Sequence, residues 1–185
     1  MQASLAQKSE INFDILFGEE TIGSLKAARD RHGKKTIQNV KTSSETKVFM
    51  MSIQMESEIF VTKESGELIE GTAFRRASGA SEIRSHMKKI GDKTYQRDRN
   101  GETTKLENTK ITLCVVDLYF TEPKGKTTTV FSNVHGEFLE VKQLSTGKYE
   151  LITPDNNNSV YTYVNGKLVM IEVDTPVGKV VTKRK

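Results

Sequence analysis

Glu56 and Glu58 stand two residues apart in an alternating stretch, so an extended backbone would set both carboxylates on one face, about 7 Å apart. Inverting glycosidases separate their acid and base by a similar distance. Any soluble sheet carries such pairs on its wet face, however, and the pair is read as surface. Gly125-Lys126-Thr127 has the ending of a phosphate-binding loop, but Phe120 stands where the first glycine of the cradle belongs. There is no G-x-S-x-G elbow and no H-E-x-x-H pair. The three histidines are scattered: His32 and His135 fall in glycine turns, and His86 on an extended stretch. Cys114, the only cysteine, lies in the most apolar segment, where a thiol behaves as a small buried hydrophobe rather than a thiolate nucleophile. These residues assign no catalytic, cofactor-binding or metal-ligating site, and the chain reads as a protein without an enzymatic constellation.

One constellation is left. Tyr119 and Phe120 precede Glu122-Pro123, and Tyr149, Tyr161 and Tyr163 fall on alternating stretches further on. Phe49, Met51, Ile53 and Met55 share one side of a long extended segment. As core residues these would pack together, with the tyrosine hydroxyls reaching the rim. As a cavity lining, Phe49, Met51, Ile53, Met55, Tyr119, Phe120, Tyr161 and Tyr163 would hold an apolar molecule, the thioethers adapting to its shape. Both readings stay open on sequence alone.

Placing these residues is the task of a chain of 185 residues, 35% of them hydrophobic. At that length a single domain buries roughly 70% of its unfolded surface. A mean hydropathy of −0.51 makes the core a lean one. The 28 basic and 24 acidic residues nearly balance at a net +4, and acids such as Asp30 and Asp98 interrupt the basic clusters, which argues against a nucleic-acid partner. A single cysteine excludes a disulfide framework, and no apolar run is long enough to span a membrane as a helix. Met1 to Gln7 carries Ala3 and Ala6 at the spacing of a signal-peptide cleavage region, without the apolar stretch that should precede it. The expectation is a secreted or periplasmic protein, with residues 1–9 disordered and 10–185 forming one domain.

Period-two alternation dominates that domain. Ile11, Phe13, Ile15 and Phe17 share one side, as do Phe49, Met51, Ile53, Met55, Ile59 and Val61 further on. Turns punctuate the strands at Gly18, Gly33, Ser65-Gly66, Ser78-Gly79, Asn100-Gly101, Thr146-Gly147 and Asn165-Gly166, the Asn-Gly pairs being the strongest hairpin signals. The pattern breaks at Ile111 to Phe120, which is apolar at consecutive positions. A doubly buried strand and a short helix ending before Pro123 both fit, and the broken alternation favours the helix.

The series Leu118-Tyr119-Phe120-Thr121-Glu122-Pro123, Tyr149-Glu150-Leu151, Pro154, Asn157, Tyr161, Tyr163 and Asn165-Gly166 resembles a family of exported bacterial all-β proteins classed only as a domain of unknown function. The resemblance covers most of residues 10–175. It implies an envelope location in double-membraned bacteria, a signal peptide upstream and no assigned catalytic residues. More distantly, the meander resembles periplasmic lipid- or lipoprotein-handling half-barrels, an architectural likeness that transfers no function by itself. The expected fold is an antiparallel meander of about ten long strands, curved into a sheet or partly open barrel, with one short helix near 110–120. Two functions follow. One is an extracytoplasmic binding protein holding an apolar ligand or lipid in the concave face. The other is an envelope scaffold or interaction module that takes a protein partner on an exposed strand edge. The first needs an unfilled apolar cavity; the second needs a filled core and an unpaired, weakly charged edge.

Overall fold

The computed structural model describes residues 7–48, 51–175 and 178–185. Its strands are β1 (Gln7–Phe17), β2 (Glu20–His32), β3 (Lys35–Val48), β4 (Met51–Glu64), β5 (Glu67–Ala77), β6 (Ile83–Gly91), β7 (Thr94–Arg99), β8 (Glu102–Leu106), β9 (Thr127–Ser132), β10 (Glu137–Ser145), β11 (Lys148–Leu151), β12 (Ser159–Val164), β13 (Lys167–Thr175) and β14 (Gly178–Arg184). One antiparallel sheet holds all fourteen, in the order β8-β7-β6-β5-β4-β3-β2-β1-β14-β13-β12-β11-β10-β9. The chain thus makes two meanders, β1–β8 and β9–β14, and joins them where β1 lies beside β14, Phe13 opposite Arg184 and Phe17 opposite Val180. Because β8 and β9 end the order without pairing each other, the sheet is curved but not closed into a barrel.

Fourteen strands exceed the expected ten or so. The least legible is β8, whose Glu102-Thr103-Thr104-Lys105 run is polar throughout and shows no alternation. Its hairpin was plain: Asn100 and Gly101 take φ of 49° and 90°, the left-handed pair that a two-residue turn needs. Residue 49, and with it Phe49, lies outside the described residues. The first strand begins at Gln7, so residues 7–9 belong to the sheet.

Alternation sorts the strands into an inner and an outer face. Phe13, Ile15, Leu25, Ala27, Val40, Val61, Ala73, Ile83 and Met87 are buried on the inner one. The segment expected to be helical crosses this face. Its first half, Ile111 to Cys114, is extended: Leu68 N–H donates to Ile111 O at 2.8 Å, and Phe131 N–H to Leu113 O at 2.8 Å. Its second half, Val115–Tyr119, winds into one 3-10 turn. Both readings of the sequence were therefore partly right. The β-branched residues extend where they find backbone partners, and the chain coils where it must turn toward Pro123.

The crossing segment also resolves one raw edge. Cys114 bridges Phe131 in parallel, so the outer edge of β9 is partnered by the chain itself. The turn between β9 and β10 then folds onto the inner face of β5–β7. Arg97 Nη1 donates to Gly136 O at 3.1 Å, and a Cβ placed on Gly71 would stand 2.3 Å from Asn133 Nδ2. Asn133 is only 3% exposed and has little room to retreat. Gly71→Ala should accordingly destabilise the fold by about 1–3 kcal/mol through overpacking, read as a lower urea midpoint with unchanged slope. An unchanged midpoint would show that the turn does not seat on Gly71.

Candidate functional site

The chain's own side chains occupy the interior. Tyr119, Tyr161, Tyr163, Tyr149 and Tyr95 are all buried. Tyr119 makes edge-to-face contacts with Phe13 and Tyr161 at centroid distances of 6.2 and 6.3 Å, and Tyr149 does so with Tyr163 at 5.7 Å. Three of the hydroxyls hold the crossing segment or its flank. Tyr163 Oη donates to Leu118 O at 2.6 Å, Tyr149 Oη to Glu122 Oε1 at 2.9 Å, and Tyr95 Oη accepts the Ile111 N–H at 3.4 Å. Burial pushes these phenols up, Tyr119 to about 12 and Tyr161 and Tyr163 well above the ordinary value. Cys114, fully buried, is pushed up to about 12 by the same desolvation, which leaves it a thiol.

Sequence reasoning missed a polar group in this interior. Lys63 Nζ pairs with Asp117 Oδ2 and donates to Thr112 O at 2.8 Å. Asp117 also accepts from Gln38 Nε2 at 3.1 Å and from Cys114 N–H at 2.6 Å, reaching back from within the 3-10 turn to the residue that caps it. Beside it, the Arg29 guanidinium stacks 4.6 Å from the centre of Phe120. Parity was the available signal: Lys63 follows Ile59 and Val61 at alternate positions, and Gln38 precedes Val40, which places both on the inner face. The arrangement pins the crossing segment to β3 and β4.

The proposed lining residues divide into two groups that do not meet. Tyr119, Tyr161 and Tyr163 are in the core, with Phe120 half-buried at its rim. Met51 and Ile53 lie at the far end of the β3–β4 hairpin, where residues 45–48 pair only with 51–54, and Met55 stands in the next row, between Ser44 and Ala77. Met51 is 64% and Met55 38% exposed. The other sequence candidates are surface pairs. His86 Nε2 meets Glu70 Oε1 at 2.8 Å, His32 Nε2 meets Asp30 Oδ1 at 2.9 Å, and Glu58 accepts from Asn39 at 2.9 Å and Lys41 at 3.0 Å. Among the described residues no group of three or more His, Cys, Asp or Glu side chains could hold a metal ion, and no helix is long and apolar enough to cross a membrane.

Two features face outward. The outer face of β4–β7 forms an open hollow of about 760 Å³, with Phe60, Thr72, Phe74, Arg84, His86 and Asp98 in its lining. Arg76 and Arg84 stack on Phe74 at 5.5 and 4.8 Å. Next to its rim, β8 pairs with β7 along one side only. The two-residue turn fixes which groups are spent there. Arg99 and Glu102 exchange hydrogen bonds, as do the alternate pairs beyond them, so Thr104 and Leu106 point their amides at β7. Thr103 and Lys105 point theirs away from the sheet, and four of the five β8 residues are exposed.

Comparison with known proteins adds membership and no chemistry. No curated protein and no solved structure matches the chain. Residues 13–185, nearly the whole of both meanders, match the family described as Domain of unknown function (DUF6134), and the chain belongs to that family.

Proposed function

We propose that this protein is a non-enzymatic interaction module that docks an extended segment of a partner protein along β8. One observation carries the reading: the inner face is filled by residues 111–120, while β8 offers a bare edge whose Glu102 and Lys105 charges balance. Strand addition uses the main-chain groups of such an edge for affinity and neighbouring side-chain surface for selection. Two outward residues supply four hydrogen bonds, each contributing about 0.5–1.5 kcal/mol net. That sum does not by itself overcome the cost of association, so the side chains at the Asp98 and Asn100 rim of the hollow must add to it and the complex is a transient one.

Proline substitution tests this cleanly. Thr103→Pro removes an amide that faces away from β7, so the hairpin survives; Thr104→Pro removes one that β7 uses. Extended peptides selected on the wild-type protein should lose binding to Thr103→Pro at unchanged thermal midpoint, and bound peptide should slow amide exchange at Thr103 and Lys105. Peptides that bind both proteins equally would overturn the reading. It also sets the protein outside the cytoplasm, as the Ala3 and Ala6 spacing suggests, and recovery of the native protein from the cytoplasmic fraction alone would remove that part.

A further inference from the structure

The inner ends of β5 and β7 gather more hydrogen-bond donors than the fold uses. Across β5, β6 and β7, Gly71, Met87 and Arg97 stand in one row, Ala73, Ser85 and Arg99 in the next, and Arg75 and Ile83 in a third. The 133–136 turn lies along these rows. Asn133 covers Gly71, Val134 packs with Ala73 and Ile83, and Gly136 O takes Arg97. Arg97 is fixed further by Thr104 Oγ1 at 3.0 Å. The half-buried His135 lies within the electrostatic reach of Asp155, Arg75, Glu137 and Arg99. Three arginines thus face two carboxylates. Arg75 meets Asp155 at a loose 3.8 Å, and Arg99 Nε and Asn133 Nδ2 are both buried without any partner. A buried donor without an acceptor is destabilising, and here two occur near the same turn.

From this excess we infer an oxyanion site: a phosphate group seats between Arg75 and Arg99, with His135 as the third donor. Guanidinium forks grip tetrahedral oxyanions through paired N–H groups, and a doubly charged phosphate matches two arginines. Asp155, on the β11–β12 connection, is the resident competitor: its carboxylate lies near Arg75 without closing on it. The site is independent of the β8 edge, since its residues face inward and its ligand is small.

Calorimetric titration of the whole chain with sodium phosphate, against sodium chloride at equal ionic strength, is the test. The wild type should bind phosphate, Arg99→Gln and Arg75→Gln should each bind at least tenfold more weakly, and Asp155→Asn should bind more tightly. Thermal melts in phosphate-free buffer confirm that each variant is folded, and Arg99→Lys, which keeps the charge but loses the fork, should fall between wild type and Arg99→Gln. Glycerol phosphate in solution and vesicles containing phosphatidic acid distinguish a soluble phosphate from a lipid headgroup, and binding to one of the two names the source. Absence of phosphate binding, or equal binding by wild type, Arg75→Gln and Arg99→Gln, overturns the site.

Discussion

Raising the pH above about 10 should unfold this domain in one cooperative step, with tyrosinate absorbance rising together with the loss of sheet. Tyr95, Tyr119, Tyr161 and Tyr163 are buried as neutral phenols whose folded pKa lies above the ordinary value, and Cys114 is a thiol pushed up to about 12. Below about pH 7.5 both the folded and the unfolded chain hold all five protons, and these groups give stability no pH dependence. Above it the unfolded chain releases first its thiol and then its phenol protons, while the fold retains them. Stability therefore falls as pH rises toward the folded values. Each group removes about 1.4 kcal/mol per pH unit, so the five together remove about 7 kcal/mol over one unit once the phenols titrate in the unfolded chain. A domain of this size has about 5–15 kcal/mol to lose, so the fold gives way before pH 12. Phenols that ionise near pH 10 while circular dichroism stays unchanged would show that the core is open to solvent, against the burial described above.

The second large effect concerns the polar group inside. Asp117→Ala should cost about 3–5 kcal/mol, because Lys63, only 4% exposed, would lose its partner carboxylate and be left with one carbonyl. Cys114 N–H and Gln38 would lose their acceptor in the same step. The double variant Lys63→Met with Asp117→Asn removes both charges and retains an oxygen for Cys114 and Gln38. It should be clearly more stable than Asp117→Ala despite carrying one more substitution. Urea unfolding of the two variants measures the difference directly, and a loss below 1 kcal/mol for Asp117→Ala would mean that the pair does not anchor the crossing segment.

Much of the sheet was legible because strand alternation and turn chemistry are local. Phe13 and Ile15 and the two Asn-Gly turns announce their roles within a few residues. The pairing of β1 with β14 was not legible, since it joins residues about 170 apart and depends on no nearby signal. The crossing segment was legible as apolar and not as to shape, because its partners, Leu68 and Phe131, lie in distant strands and decide where it extends. Tyr119, Tyr161 and Tyr163 were picked out by type, and the fold does bring them together. Met51 and Met55 share a face with Val61, as parity demands, but β2 and β5 stop short of Met51, and Met55 stands in the last row they reach, where its partners are the small Ser44 and Ala77. Parity predicts which side a residue takes; it does not say whether another strand will be there to cover it.

The junction of β1 with β14 has a bearing on how the chain is made. Ribosomal synthesis delivers β1 first, and its second neighbour reaches it only after every other strand has emerged. Through nearly all of translation the amino-terminal half is a half-finished sheet whose β1 flank is unpartnered, a template for the wrong neighbour. Pairings of such long sequence separation also close slowly. Biogenesis of this protein should consequently depend on a holding chaperone until β14 docks, and shortening the chain before Gly178 should send it into aggregates rather than merely weaken it.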